Sequence, residues 1–183
     1  MRLVGGRVEY ELADNTVITA TYREDNFPHL IGLHKLKDIQ LIQFWLDRSN
    51  KTVKLADIIR KIKNEELTDS DVAASCFYAG ISDRYNAFSY ENLTTLNYTD
   101  AIIDFNPSLM GSSLKADYIL FEERPGGEYN HMAIANDPLQ GRYIESFFHE
   151  KSKNYINNQT VVPIRRFTLY DKNGEPIVTD TFI

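Results

Sequence analysis

VEYEL alternates apolar and polar positions and TVITATY is rich in β-branched residues, so residues 7–12 and 16–23 read as strands. Ala13-Asp14-Asn15 between them carries turn chemistry, which makes 7–23 a β-hairpin. From Pro28 the period changes. Pro28 suits a first helical turn, with Asp25 or Asn26 as its cap. Leu30, Leu33 and Leu36 follow at helical spacing, with Gly32 as a weak point. VKLADIIRKIKNEEL puts Leu55, Ile58, Ile59 and Ile62 on one stripe with Lys and Arg opposite, an amphipathic helix. Thr68 and Asp71 form a capping box that opens another helix, with Ala73 to Tyr78 as its apolar body, and helix is expected again over 81–96. Residues 28–96 therefore read as helical.

Strand patterns return at 116. ADYILFEE, EYNHMAIAND, RYIESFFHE, TVVPIRRFTLY and EPIVTDTF are the expected strands. They are separated by Arg124-Pro125-Gly126-Gly127, by Pro138 to Gly141, by the polar EKSKNYINNQ with room for one helical turn, and by Asn173-Gly174. Short turns imply antiparallel neighbours, so 116–181 is an antiparallel β-meander. The fold class is α+β, one domain over residues 1–183, with helices packed on one face of the sheet.

Composition narrows the picture. The 183 residues are 43% hydrophobic and include 11 Tyr and 10 Phe, which excludes a disordered chain. A lone cysteine, Cys76, excludes an internal disulfide, reads as a small apolar residue on a helix, and fits a reducing compartment. No apolar run reaches the roughly 18–20 residues of a membrane span, and MRLVGGRVEYEL has no signal-peptide core. The expectation is a cytoplasmic protein, with the sequons at Asn50, Asn92, Asn97 and Asn158 unglycosylated. The net charge of −6 is unevenly spread. Residues 29–63 carry eight basic and three acidic side chains, whereas 64–104 carry one basic and eight acidic. The basic stretch is either an ordinary polar helix surface or a surface for a polyanion.

Most strong motifs are missing. There is no Walker loop, GxGxxG, GxSxG, HExxH or Cys/His zinc spacing, so neither metal nor cofactor is expected. Four histidines remain. His29 and His34 sit in NFPHLIGLHKL, five residues apart, and a regular helix would hold them about 140° apart. On such a helix they would not share a metal or a substrate atom. One would face the sheet or a cleft and the other solvent, and either also fits a helix-end or surface role. His131, beside Met132 in a strand, reads as a structural hydrogen-bonding group, and His149 ends IESFF. In SFFHEKSKNYINNQ, Ser146, Tyr155 and Gln159 bracket a loop holding Lys151 and Lys153. Such a loop is a common place for a site, or else a solvated connection anchored by Tyr155.

These segments, in this order, resemble the fourth subgroup of the phage, barnase, EndoU, colicin and RelE-like nucleases. Phe27, His29, Leu30, Gly32 and Leu33 match its aromatic-x-His-Leu-x-Gly-Leu segment, and Asp117-Tyr118 its central strand. Ser146, Phe147 and Phe148 match its Ser-Phe-Phe strand, and Tyr155 and Gln159 its Tyr-x-x-x-Gln. The likeness spans roughly residues 7–168. It implies a ribonuclease fold of that group in a protein of bacterial phage or mobile-element origin. The implied activity is a metal-independent endoribonuclease, a hydrolase or toxin acting by 2′-OH attack. It further implies His29 as acid or base with His34 as the alternative. Ser146, Tyr155 and Gln159 would orient the phosphate or polarise the 2′-OH, and Lys115, Lys151, Lys153 or Arg165 would neutralise phosphate charge. RNA is the implied partner, with an inhibitor or antitoxin protein as a second. The competing reading is a non-catalytic module that binds RNA, a nucleotide or a protein on the same fold.

Overall fold

The computed structural model describes residues 4–47, 49, 53–87 and 98–182. The chain is mixed α+β and divides into two compact units, residues 1–23 with 90–183, and residues 24–89.

The first unit is one eight-stranded sheet. Its strands are β1 (Arg7–Leu12), β2 (Val17–Thr21), β3 (Asp100–Ile103), β4 (Tyr118–Arg124), β5 (Glu128–Asp137), β6 (Gly141–Glu150), β7 (Thr160–Tyr170) and β8 (Pro176–Thr181). The expected hairpin is present: Val8 pairs with Ala20 and Tyr10 with Ile18. Its turn is closed by Asp14 Oδ1, which accepts the Thr16 N–H at 2.9 Å. Alternation dictates the buried side, since Val8, Tyr10 and Leu12 are buried while Arg7, Glu9 and Glu11 are not. The meander β4–β5–β6 and the β7–β8 hairpin also form as expected.

Two features go beyond the expected meander. Residues 100–103 form β3, which pairs with both β4 and the first half of β7. Moreover β7 pairs with β1, and β2 meets β6 in parallel at Thr21 and Tyr143. The order β1-β2-β6-β5-β4-β3-β7 therefore returns to β1, and β8 is added along the second half of β7. Closure leaves few unpaired edges.

Register sorts the side chains into two apolar layers. Ala101, Leu120, Met132 and Phe147 lie in one cross-strand row, all buried. On the opposite face lie the row Phe121, His131, Phe148 and the row Ile102, Ile119, Ala133, Ser146. That second face is covered by Phe105, Met110 and Leu114 from one loop and by Tyr155 and Ile156 from another.

The second unit is helical, but the helices are short: α1 (Phe27–Leu30), α2 (Gln40–Leu46), α3 (Leu55–Lys63), α4 (Asp69–Ala73) and α5 (Ser82–Ala87). Residues 28–96 thus hold a series of short helices; of the helix expected over 81–96, α5 forms the first part and 88–96 lie outside the described residues. Each break has a cause. Gly32, at φ 83°, ends α1. Glu65, at φ 58°, stops α3 at Lys63, short of Leu67, as the Glu66 N–H turns back to the Lys61 carbonyl at 2.8 Å. The Thr68–Asp71 capping box forms as expected. Cys76 is exposed in a turn beyond α4 rather than on a helix, because its N–H donates to Asp38 Oδ2 at 2.8 Å while Ser75 Oγ donates to Asp38 Oδ1 at 2.6 Å. The core of this unit joins Leu33, Leu36, Ile42, Ile58, Val72 and Ile81.

Candidate active site

The motif segment NFPHLIGLHKL does not stay helical, and that changes what its histidines can do. After Leu30 the chain passes Ile31 and reaches Gly32 in the left-handed region, then turns again as a 3-10 segment over Leu33–Lys35. Only glycine fits here. The φ of 83° is strained for any side chain, and a Cβ would lie 3.0 Å from Ile81 Cγ2. The expected separation of about 140° applies to a regular helix. The bend cancels it and brings the His29 and His34 rings to 5.0 Å. His29 also lies 5.1 Å from the Trp45 ring on α2.

The two imidazoles differ in environment. His29 is exposed, whereas His34 is half-buried and its Nδ1 has no hydrogen-bond partner. Burial, then the positive charges of His29, Arg84 and Lys35, pull His34 down from its ordinary 6.5 to about 4. His34 is therefore a neutral imidazole at neutral pH. Burial also lowers Lys35, with the Arg84 charge as the second cause, and burial alone lowers Arg84. A proton acceptor, a second imidazole and two cations are grouped within one unit.

The other expected site residues lie in the sheet unit, where several are engaged in packing. Tyr155 sits against Phe148 at 4.8 Å and Phe105 at 6.2 Å, with its hydroxyl 3.4 Å from Ser112 Oγ. The Gln159 amide is committed at both ends: Oε1 accepts the Asn106 N–H at 3.1 Å and Nε2 donates to the Asn106 carbonyl at 3.0 Å. It ties the two covering loops together as a strand partner would. Ser146 is half-buried opposite Ala133, beside the irregularity that leaves Glu145 unmatched in the ladder. Lys115, Lys151 and Lys153 are exposed on the covering loops, and Lys153 Nζ lies 5.7 Å from the Tyr129 ring. Arg165 on β7 donates to the Ala13 carbonyl at 3.1 Å and to Asn15 Oδ1 at 3.4 Å, which fastens the β1–β2 turn.

The remaining histidines are structural. His131 is fully buried, but neither ring nitrogen has a partner, so the expected hydrogen bond is not made. Stacking on Phe148 at 4.8 Å and 4° holds it instead. His149 closes a chain of polar contacts. Its Nε2 meets Glu128 Oε2 at 3.2 Å and its Nδ1 meets Asn130 Oδ1 at 3.0 Å. Asn130 Nδ2 donates to Glu122 Oε1 at 2.7 Å, and Arg124 pairs with the same oxygen at 3.4 Å.

Sequence reasoning missed Arg84 and Trp45. Both carried a signal, Arg84 as the single basic residue of 64–104 and Trp45 as the single tryptophan. Among the described residues no group of three or more His, Cys, Asp or Glu side chains is placed to hold a metal ion, and no helix is long and apolar enough to cross a membrane. A family model described as phage-Barnase-EndoU-ColicinE5/D-RelE like nuclease4 matches residues 2–177. No match to a curated protein or to a solved structure accompanies it.

Proposed function

The chain belongs to the phage-Barnase-EndoU-ColicinE5/D-RelE like nuclease4 family, and from that premise we propose that it is a metal-independent endoribonuclease acting through His29 and His34. The observation that supports this reading is the 5.0 Å approach of two imidazoles, one of them kept neutral. His34 accepts the proton of a ribose 2′-OH. The freed O2′ forms a bond to the adjacent phosphorus, the P–O5′ bond breaks, and His29 gives a proton to the departing O5′. The products are a 2′,3′-cyclic phosphate and a 5′-hydroxyl, and the charge balance needs no metal. Water later returns the two imidazoles to their starting protonation. Trp45, beside His29, offers a ring face to an unpaired base.

Lys115, Lys151 and Lys153 bind RNA phosphates and give the interaction its salt dependence. Tyr155 and Gln159 are positioning residues that hold the loops carrying those lysines. Ser146 serves as a hydroxyl donor toward the substrate, and Arg165 stays with the hairpin turn. The cellular setting is a bacterial or phage-encoded cytoplasmic nuclease with a protein inhibitor.

The test is RNA cleavage in EDTA, with 3′ ends read chemically. Discrete cuts ending in 2′,3′-cyclic phosphate, reduced by about 10²–10⁴ in His29→Ala and in His34→Ala, are the expected result. Cleavage at an unchanged rate in both variants would remove the pair from the mechanism. Intact RNA with salt-sensitive binding would make the protein a binding module.

A further inference from the structure

Each of the other described arginines has a partner. Arg23, Arg60, Arg124 and Arg166 pair with carboxylates. Arg142 donates to the Tyr118 hydroxyl, Arg165 to the Ala13 carbonyl, and Arg7 lies over the Tyr170 ring. Arg84 has no carboxylate, carbonyl or ring among the described residues, although it is half-buried. Its stem packs over the motif bend, with Cδ 3.4 Å from where a Cβ on Gly32 would stand. The 3-10 segment that follows Gly32 carries His34 and Lys35, and Lys35 likewise has no ion-pair partner among the described residues. The charge of Arg84 is felt by both. A desolvated guanidinium, an ammonium and an imidazole gathered without an anion are mutually repulsive. Such a group is relieved when an anion enters, and a guanidinium fork beside an ammonium suits a tetrahedral phosphoryl group. The His34 Nδ1, buried without a partner, then gains one on protonation.

We propose that Arg84, Lys35 and His34 form a binding site for a phosphoryl anion, which in the RNA reaction is the scissile phosphate. Its role in cleavage rests on the endoribonuclease reading, but phosphate binding can be measured apart from it. In the reaction the two cations stabilise the charge that develops on the non-bridging oxygens as O2′ attacks. Arg84 is the specific element, because its planar fork presents two donors to two phosphate oxygens, whereas Lys35 adds a point charge.

The experiment titrates the full chain with inorganic phosphate while following the imidazole C–H signals of His29 and His34 by NMR across pH. Phosphate is expected to raise the midpoint of His34 by at least one pH unit. Arg84→Met should weaken half-saturation by about tenfold or more, Arg84→Lys less, and the exposed Lys35→Met in between. Thermal melts establish that each variant is folded, and Lys35→Met serves should Arg84→Met not fold. His34 signals indifferent to phosphate in the wild-type protein, or equal responses in the wild type and a folded Arg84 variant, overturn the proposal. RNA cleavage by the same samples separates the two readings. Phosphate binding through Arg84 with intact RNA leaves this site standing and removes the nuclease mechanism. Wild-type His34 signals indifferent to phosphate, with RNA still cut and the rate unchanged in a folded Arg84→Met, do the reverse.

Discussion

His34 in the helical unit and His131 in the sheet unit are both pulled from 6.5 to about 4, and both have ring nitrogens without partners. The reasons differ. For His131 burial dominates, the charge of His149 adds to it, and the nearby Tyr129 backbone, which makes no well-formed hydrogen bond, opposes it. Its immediate neighbours are Phe148, Tyr155, Phe121 and Tyr129. For His34 burial is joined by three positive neighbours, and the ring is only half-buried under an exposed partner imidazole. A lowered histidine pKa is therefore not a site by itself. What separates the two is charge and access to solvent: aromatic packing consumes His131, while among the described residues no carboxylate pairs with Arg84 or Lys35 beside His34.

The sharpest way to break this comparison is to exchange the consequences. His34→Ala should lower RNA cleavage by about 10²–10⁴, whereas His131→Phe should leave the rate unchanged. Equal losses in a cleavage assay of the two folded variants would end the distinction.

Acid should tell the next largest difference. In the folded protein His131 binds its proton less tightly than in the unfolded chain, so falling pH favours unfolding. Stability is full above about pH 6.5, is lost as pH falls toward about 4, and levels off below that. The loss from His131 is about 3 kcal/mol. His131→Phe should flatten that part of the curve in urea melts taken between pH 7 and 4. His34 acts in the same direction and window, so a slope from it should persist in the His131 variant.

Gly32→Ala strikes the helical side alone. A side chain at φ 83° and 3.0 Å from Ile81 Cγ2 should cost about 1–3 kcal/mol and part the two imidazoles. Both stability and cleavage should fall, which denaturant curves and RNA gels read together.

Gln159→Ala should give the smallest effect. Its two bonds to the Asn106 backbone contribute about 1–2 kcal/mol, visible as a shifted melting midpoint. A loss of cleavage in the folded variant as large as that of His34→Ala would make Gln159 more than a clamp.

Local chemistry was readable in the sequence, and non-local pairing was not. The alternation of Val8, Tyr10 and Leu12, the Asp14-Asn15 turn and the Thr68–Asp71 box each involve neighbours a few residues apart, and all appear as expected. The four residues of β3 carry too short a pattern to mark a strand, and the strand exists because β4 and β7 flank it. The pairing of β1 with β7 joins the two ends of the chain and leaves no local mark. At the site, Gly32 was visible as a weak point in a helix, but the pairing of His29 with His34 depends on its left-handed backbone. Arg84 stood alone in an acidic stretch, and averaging that stretch into a net charge concealed it.

The strand ring is sewn unevenly. Most of its seams run over three to nine matched positions, but β2 and β6 meet at a single one, Thr21 with Tyr143. Around it side chains reinforce the join: the Thr21 hydroxyl donates to the Arg142 carbonyl at 3.2 Å, and Arg23 lies 4.5 Å from the Tyr143 ring while paired with Asp137 at 3.3 Å. Under mechanical load this is where the ring parts. The N-terminal hairpin would peel away there still attached to β7, and the four antiparallel strands β3–β6 would be the last to give way to an unfoldase pulling from either end.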